Sequence, residues 1–169
     1  MNRVWLVVMG VSGCGKSSMG AAPATALGLP LIEGDDHHPP ANVDKMSRGI
    51  ALTDADRAGW LATLGRALAD APQGAVMTCS ALKRSYRDQL RAAAPGLRFV
   101  FMQIDRAEAE RRVAARAGAG LHMFPASLVA NQFATLESPV GEAGVLAVDA
   151  TAPLAQSVGV VRDWLADAG

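Results

Sequence analysis

The chain has 169 residues, of which half are hydrophobic and 19% are charged, and its 16 basic residues balance 16 acidic ones. This composition excludes a disordered chain, and without a long block of positive charge there is no sign of a nucleic-acid surface. The length allows one domain with a core that needs no disulfides. The two cysteines, Cys14 and Cys79, fit a reducing cytoplasm, and the first apolar run is too short to cross a membrane.

Apolar runs alternate with helical patterns along the whole chain. Because the apolar runs are continuous and not alternating, they predict strands of a mostly parallel sheet that is covered on both faces. The order predicts a three-layer α/β/α fold with about five strands. The candidate strands are residues 4–9, 30–33, 74–79, 97–104 and 145–149.

The helices between these strands have recognisable signals. One begins near Ser17, and Pro23 is expected to kink or shorten it. Another carries the apolar stripe of Trp60 and is opened by Thr53 and Asp56, which resemble a capping box. Residues 106–117 and the stripe that follows Pro153 also predict helices, whereas 34–53 and 117–125 predict irregular excursions from the core.

One motif carries chemistry. Residues 10–17 read Gly-Val-Ser-Gly-Cys-Gly-Lys-Ser, which is the P-loop pattern, placed between an apolar run and a helical pattern as that motif requires. Glycines let the backbone N–H groups approach phosphate oxygens, the lysine reaches the β- and γ-phosphates, and the serine hydroxyl can ligate Mg²⁺. The predicted nucleotide ligands are Gly10, Ser12, Gly13, Cys14, Gly15, Lys16, Ser17 and Ser18, with Ser17 also the metal ligand.

A P-loop alone does not separate kinases from switches and motors. The guanine-reading sequence Asn-Lys-x-Asp does not occur, and the Asp-x-x-Gly match at 56–59 lies inside a helical pattern. Large motors need a longer chain. A compact kinase of a small molecule remains, and shikimate and nucleoside-monophosphate kinases stay as alternatives, although the Gly-Gly-Gly segment of shikimate kinases is missing. A nucleotide-binding regulator without turnover is a further alternative.

Nearly from end to end, the chain also resembles the gluconate kinases (gluconokinases). Beside the P-loop, the resemblance rests on the joint order of Glu33 to Pro39, Asn42 to Met46, Gly49 to Arg57, Trp60-Leu61, Cys79 to Asp88 and Gln132 to Glu137. It implies transfer of a phosphoryl group from ATP to D-gluconate with Mg²⁺. It also implies a single kinase domain over 1–169, a substrate-binding excursion at about 34–60, a lid at about 117–126, and a homodimer.

Three departures from the family pattern stand out. Pro23 lies in the first helix, Ala51 stands where proline is common, and the lid after Arg116 carries an insertion of about three residues with Met123 and Phe124 exchanged. The lid change bears most directly on closure, and so on turnover.

Several polar residues are candidates for the reaction itself. Asp35 follows the second strand, at the sheet edge where α/β proteins bind ligands, and either takes the proton of the acceptor hydroxyl or holds a water on Mg²⁺. His38 is expected to shape the acceptor pocket. A zinc site built on Asp36, His37 and His38 is disfavoured because it lacks compatible further ligands.

The remaining candidates are mostly cations. Arg57, Lys83 and Arg87 are predicted to bind the acceptor's carboxylate, with the last two on one helical face. Arg112 and Arg116 are predicted to clamp the phosphates, Arg111 to be exposed, and His122 and Gln132 to complete the acceptor site. Cys79-Ser80 ends the third strand where many P-loop proteins carry a metal-linked aspartate, so that acid is missing, while Cys14 is more simply a small filler of the loop than a redox switch.

Overall fold

The computed structural model describes residues 3–118 and 127–167. The five strands are β1 (Val4–Met9), β2 (Leu31–Glu33), β3 (Gly74–Thr78), β4 (Arg98–Gln103) and β5 (Val145–Asp149). The α-helices are α1 (Lys16–Leu27), α2 (Pro40–Ser47), α3 (Asp54–Asp70), α4 (Arg84–Ala93), α5 (Arg106–Gly118), α6 (Ser127–Thr135) and α7 (Leu154–Asp167), and a 3₁₀ turn spans Gly34–His37. The strands and the predicted helices agree with the sequence pattern within a few residues at each boundary. The excursion at 34–53, which was predicted to be irregular, contains the 3₁₀ turn and α2, and α6 was not predicted.

The strands form one sheet in the order β2-β3-β1-β4-β5, and every pairing is parallel. The predicted α/β fold with five strands is therefore confirmed. Since all strands run the same way, their carboxyl ends meet at one edge. The loop after the central strand β1 and the turn after β2 both open at that edge. The P-loop (residues 10–17) and the segment from Glu33 to Pro39 therefore lie at the same edge of the sheet.

Helices cover both faces of the sheet, as continuous apolar strands require. On one face, α3 packs the predicted stripe of Trp60, Leu61, Leu64 and Leu68, each at most 2% exposed. On the other face, α1 and α7 pack against Leu6, Val8 and Val100. Burying each large apolar side chain stabilises the fold by about 1.5–3 kcal/mol.

Two local expectations have different outcomes. Thr53 and Asp56 form a complete capping box at the start of α3, with each side chain accepting the other residue's backbone N–H. The expected shortening of α1 by Pro23 is wrong, because the helix continues through the proline to Leu27 and ends at Gly28 in the left-handed conformation. The ring of Pro23 is buried in the core, which offsets the lost backbone hydrogen bond.

Among residues 3–118 and 127–167, no helix combines the length and apolar character needed to cross a membrane.

Candidate active site

The loop between β1 and α1 forms a phosphate cradle by its backbone shape. Gly10, Gly13 and Gly15 all have positive φ, at 148°, 88° and 91°. A β-carbon on Gly13 would lie 2.9 Å from the carbonyl oxygen of Ala109, so only glycine fits there. The ammonium of Lys16 lies across the loop and donates to the carbonyl oxygens of Gly10 and Val11 at 3.2 and 3.1 Å.

Two cavities meet at this loop. The first, called here the phosphate cavity, is lined by Ser12, Gly13, Gly15, Lys16, Ser17, Ser18, Glu33, Asp35, Asp36, Thr78 and Arg116. The second, called the inner pocket, is lined by Ser12, Lys16, Asp35, His38, Met46, Ala51, Leu52, Arg57, Trp60, Ser80, Leu128, Asn131 and Gln132. Ser12, Lys16 and Asp35 line both cavities. A ligand in the inner pocket would therefore face a phosphate on the loop across the Asp35 carboxylate.

Glu33 supplies a carboxylate that sequence reasoning did not assign. Its Oε2 accepts hydrogen bonds from the Ser17 hydroxyl at 2.8 Å and from the Thr78 hydroxyl at 2.9 Å. These hard oxygen donors at the phosphate cavity are the kind that Mg²⁺ prefers. Glu33 ends β2, next to β3, so it brings a carboxylate beside the strand whose own metal-linked acid is missing. The sequence feature that could have indicated this is that Glu33 is the last residue of a candidate strand.

The wall of the inner pocket is aromatic. The ring of His38 stacks on Trp60 at 4.0 Å with an interplanar angle of 17°. The indole N–H of Trp60 donates to the carbonyl oxygen of Gly34 at 2.8 Å, which fixes the stack against the turn that carries Asp35. Burial lowers the pKa of His38 below its ordinary 6.5, although Asp35 acts in the opposite direction. His38 is therefore neutral near pH 7.

Arg57 provides positive charge at the same pocket. The residue is 7% exposed, and the one hydrogen bond that its side chain makes within the described chain goes from Nη1 to the Tyr86 hydroxyl at 3.1 Å. No carboxylate pairs with it among the described residues. A buried cation without an acidic partner is costly, and an anionic ligand in the pocket would remove that cost. The Tyr86 hydroxyl in turn donates a hydrogen bond to the Asp54 carboxylate, which fixes the position of the oxygen that accepts from Arg57.

The chain is similar to several known proteins along most of its length. A family model described as an AAA domain matches residues 5–139. A gluconokinase from Gluconobacter oxydans is 50% identical over 147 residues, which cover 85% of this chain and 81% of that protein. The thermoresistant gluconokinase of Escherichia coli is 40% identical over 152 residues, covering 88% and 85%. A crystal structure of a gluconokinase from Sinorhizobium meliloti superposes with a TM-score of 0.84 at 47% identity, covering 99% of both chains.

The chain belongs to the gluconokinase family. It carries the P-loop kinase fold of that family over nearly its whole length, and the predicted resemblance is confirmed.

Two predicted ligands of the acceptor's carboxylate do not line the inner pocket of this gluconokinase-family chain. Lys83 is the N-cap of α4, not part of a helical face shared with Arg87, and its ammonium donates to both carboxylate oxygens of Asp54 at 2.9 and 3.1 Å. Arg87 is fully buried and its guanidinium donates to Glu142 at 2.6 Å and to the carbonyl oxygens of Ala81 and Glu137. We therefore leave both residues out of the acceptor site.

Arg87 instead stabilises the loop after β3. Ala81, whose carbonyl oxygen accepts from Arg87 at 2.7 Å, has a φ of 47°. A non-glycine residue in this left-handed conformation costs about 1–2 kcal/mol. Four hydrogen bonds from one guanidinium to this loop and to the segment before β5 offset that strain. The sequence motif around Arg87 is consequently architectural at this position, because its charge is already satisfied inside the protein.

The arginines of α5 lie on the other side of the P-loop. Arg112 donates to the carbonyl oxygen of Gly13 at 3.2 Å and to that of Ala150 at 3.1 Å, and its Nε donates to Glu108. Arg111 is exposed as expected and also binds Glu108. The two guanidinium groups lower the pKa of Glu108 to about 2, so the acid stays ionised. Arg112 is thereby held against the loop, while Arg116 reaches the phosphate cavity.

A third cavity, the outer cavity, continues from the P-loop away from the inner pocket. Arg116 and Ser18 line both the outer cavity and the phosphate cavity. The buried Cys14 also lines the outer cavity. The cavity is lined by Gly13, Cys14, Gly15, Ser18, Met19, Met102, Arg111, Arg112, Ala115, Arg116, Asp149, Ala150, Ala152, Leu154 and Ser157. Its mixed lining and its position beside the cradle suit the nucleoside part of a nucleotide.

The structure also places the remaining predicted residues. Gln132 does line the inner pocket, together with Asn131 and Leu128 of the same helix, which sequence reasoning did not single out. His122 lies outside the described residues, as do residues 119–126 of the predicted lid, while 117 and 118 end α5. Cys79 at the end of β3 is buried, and burial raises the pKa of its thiol to about 12, so it does not replace the missing acid.

Proposed function

We propose that this protein transfers the γ-phosphoryl group of ATP to D-gluconate, giving 6-phosphogluconate and ADP. The observation that carries the proposal is the shared lining of the phosphate cavity and the inner pocket by Ser12, Lys16 and Asp35. The gluconokinase relatives supply the identity of the acceptor.

The residues act by positioning and charge neutralisation. The backbone N–H groups of the P-loop and the ammonium of Lys16 bind the phosphates. Arg57 binds the gluconate carboxylate, since it is the buried cation of the inner pocket that has no acidic partner in the described chain. The acceptor hydroxyl oxygen attacks the γ-phosphorus, the bond from that phosphorus to the bridging oxygen of ADP breaks, and Asp35 takes the hydroxyl proton.

We also propose a magnesium requirement. Ser17 and Glu33 would hold the ion, because their oxygens lie 2.8 Å apart at the phosphate cavity. When bound, Mg²⁺ neutralises the charge that gathers on the phosphate oxygens. Arg112 and Arg116 add positive charge from the opposite side of the loop. The outer cavity takes the nucleoside, with Ser18 at its junction with the phosphates.

Two further proposals concern the setting of the reaction. Both cysteines are buried thiols, which fits a reducing compartment, so we place the reaction in the cytoplasm. The homodimer implied by the family resemblance stays a prediction, and sedimentation of the purified protein tests it.

The decisive experiment incubates the protein with ATP, Mg²⁺ and gluconate and detects the product by mass spectrometry. We expect 6-phosphogluconate and equimolar ADP, and little of either with Lys16→Ala. Shikimate and nucleoside monophosphates, offered in parallel, should not be phosphorylated. Tight ATP binding without gluconate-dependent ADP formation would reject the proposal and favour a regulator without turnover.

A further inference from the structure

Asn42 is a buried amide that joins α2, α3 and the inner pocket. It is 3% exposed. Its Nδ2 lies 3.0 Å from the backbone carbonyl oxygen of Asp56 and 3.2 Å from Nδ1 of His38. Asn42 itself does not line the inner pocket, whereas His38 does. Its effect on that pocket is therefore exerted through the imidazole.

The carbonyl of Asp56 determines which end of the amide faces His38. A backbone carbonyl oxygen can only accept, so the Asn42 atom beside it must be the NH₂ nitrogen, and the reversed amide would place two oxygens against each other. The second hydrogen of the same NH₂ group then points to His38 Nδ1. A ring nitrogen that accepts a hydrogen bond carries no proton, so the proton of the neutral ring is on Nε2.

The Nε2–H group faces Asp35. The Asp35 Oδ1 atom is 3.9 Å from His38 Nε2, too far for a direct hydrogen bond. At this separation a single oxygen atom of a ligand can lie within hydrogen-bond distance of both. A hydroxyl oxygen can accept from the Nε2–H group and at the same time donate its own proton to the carboxylate, whereas a carbonyl or an ammonium group can do only one of these.

We propose that Asn42 is a positioning residue that fixes His38 as an Nε2–H donor, and that His38 and Asp35 together select a hydroxyl group. The identity of that hydroxyl, as the acceptor of the phosphoryl group, rests on the proposed function. His38 holds the hydroxyl oxygen while Asp35 takes the proton. The stack on Trp60 keeps the ring in the plane that this requires.

The tautomer is measured directly by long-range ¹H–¹⁵N correlation spectroscopy on the protein labelled with ¹⁵N-histidine, near neutral pH and without substrates. The chain has three histidines, so His37→Gln helps to assign the His38 signals. We expect the pattern of the neutral Nε2–H form for His38. An Nδ1–H or doubly protonated ring in the wild-type protein would overturn the inference. This measurement is independent of the acceptor, so failure of the gluconate assay would leave its result intact.

Asn42→Asp replaces the donating NH₂ with an oxygen of almost the same size. We expect His38 to change to the Nδ1–H or doubly protonated form, and kcat/KM for gluconate to fall by about tenfold or more, the effect of losing one well-placed hydrogen bond. Asn131→Asp is the matched control for the tautomer. Asn131 lines the same pocket, and no hydrogen bond in the described chain joins it to His38. This variant should leave the tautomer of His38 unchanged.

The results separate the two parts of the inference. A folded Asn42→Asp variant that keeps the Nε2–H form would show that Asn42 does not set the tautomer. A changed tautomer with unchanged kcat/KM would reject the selection of a hydroxyl by His38. If the variant does not fold, the wild-type spectrum still decides the protonation state, and His38→Phe, which keeps an aromatic ring but has no donor, tests the hydroxyl contact by the same kinetic loss.

Discussion

The backbone N–H of Ser12 donates a hydrogen bond of 2.7 Å to the side-chain oxygen of Gln132, 120 residues further along the chain. This contact joins the P-loop to α6, and both residues line the inner pocket. Gln132 is 8% exposed, so the bond is shielded from water. The phosphate-binding loop and one wall of the proposed acceptor site are consequently connected by a single side chain.

Gln132→Leu should leave the Ser12 N–H without its partner. We expect amide hydrogen exchange at Ser12 to accelerate by about tenfold, the effect of losing one shielded hydrogen bond, and kcat/KM for gluconate to fall. Asn131→Leu is the control for the exchange rate at Ser12, because it removes a neighbouring carboxamide that makes no described hydrogen bond to the P-loop. Equal exchange rates in the wild type and in Gln132→Leu would show that the contact does not order the P-loop.

Asp35→Asn tests the proton acceptor. The amide keeps the size of the side chain but cannot take a proton, so we expect kcat to fall by about 10²- to 10⁴-fold, while ATP affinity changes little. Single-turnover kinetics and a separate calorimetric titration with an ATP analogue distinguish the two effects. Turnover at the wild-type rate would remove Asp35 from the proposed chemistry.

Arg57 and Arg87 are both buried arginines, and the structure assigns them opposite roles. Arg57→Met should raise KM for gluconate by about 10- to 100-fold, since a charge-assisted hydrogen bond is lost, with little change in KM for ATP. Arg87→Met should instead lower the free energy of unfolding by about 1–3 kcal/mol, because the carbonyl oxygens of Ala81 and Glu137 lose their donor and Glu142 keeps only its ion pair with Arg91. Denaturant unfolding and steady-state kinetics on both variants provide the comparison. The assignment fails if Arg87→Met raises KM for gluconate without loss of stability.

Glu33→Gln tests the proposed magnesium carboxylate. The amide oxygen can still accept from Ser17, but the negative charge is gone. We expect the Mg²⁺ concentration for half-maximal rate to rise by at least about tenfold, since even the change of an outer metal partner costs about 10- to 100-fold in affinity. Glu110→Gln, in an exposed ion pair with Arg106, is the control and should behave as wild type. An unchanged Mg²⁺ dependence would exclude Glu33 from the metal site.

The lowered pKa of Asp56 predicts that the free energy of unfolding depends on pH in the acid range. Hydrogen bonds from Lys45 and from the backbone N–H of Thr53 lower its pKa from 3.8 to about 2. The folded state therefore binds fewer protons than the unfolded chain in this range, so the stabilisation is present above pH 3.8 and is lost as the pH falls towards 2. Asp56→Asn should unfold at lower temperature than wild type at neutral pH, and the difference should shrink between these two values.

The control for this prediction is Asp44→Asn. Asp44 lies on α2 in an ion pair with Arg48 in which both side chains are more than 60% exposed. Exposed pairs contribute little, so its thermal unfolding should follow wild type throughout the acid range. A constant difference between wild type and Asp56→Asn from neutral pH to pH 2 would show that the carboxylate charge is not what stabilises the junction of α2 and α3.

The sequence by itself determined the strands, their parallel arrangement, most helices other than α2 and α6, the P-loop and the family. These features depend on local patterns, such as continuous apolar strands, a capping box at Thr53, and glycines where the backbone must approach a phosphate. Lys16 was predicted from the P-loop pattern, and Asp35 was expected near it because strand ends in a parallel sheet share one edge. Pro23 was misjudged because packing of its ring in the core outweighs a local helix penalty.

Only the tertiary structure decided which cations are paired within the chain and which one lines the inner pocket. Arg57, Lys83 and Arg87 have the same charge and similar motif support in sequence, yet Lys83 pairs with Asp54 at the surface and Arg87 pairs with Glu142 in the interior. Asp54 is 29 residues from Lys83 and Glu142 is 55 residues from Arg87, so no local pattern reveals either pairing. The proposed role of Glu33 likewise depends on a hydroxyl on another strand and one on α1. Charge satisfaction depends on which distant groups the fold brings together, and that is a property of three-dimensional packing.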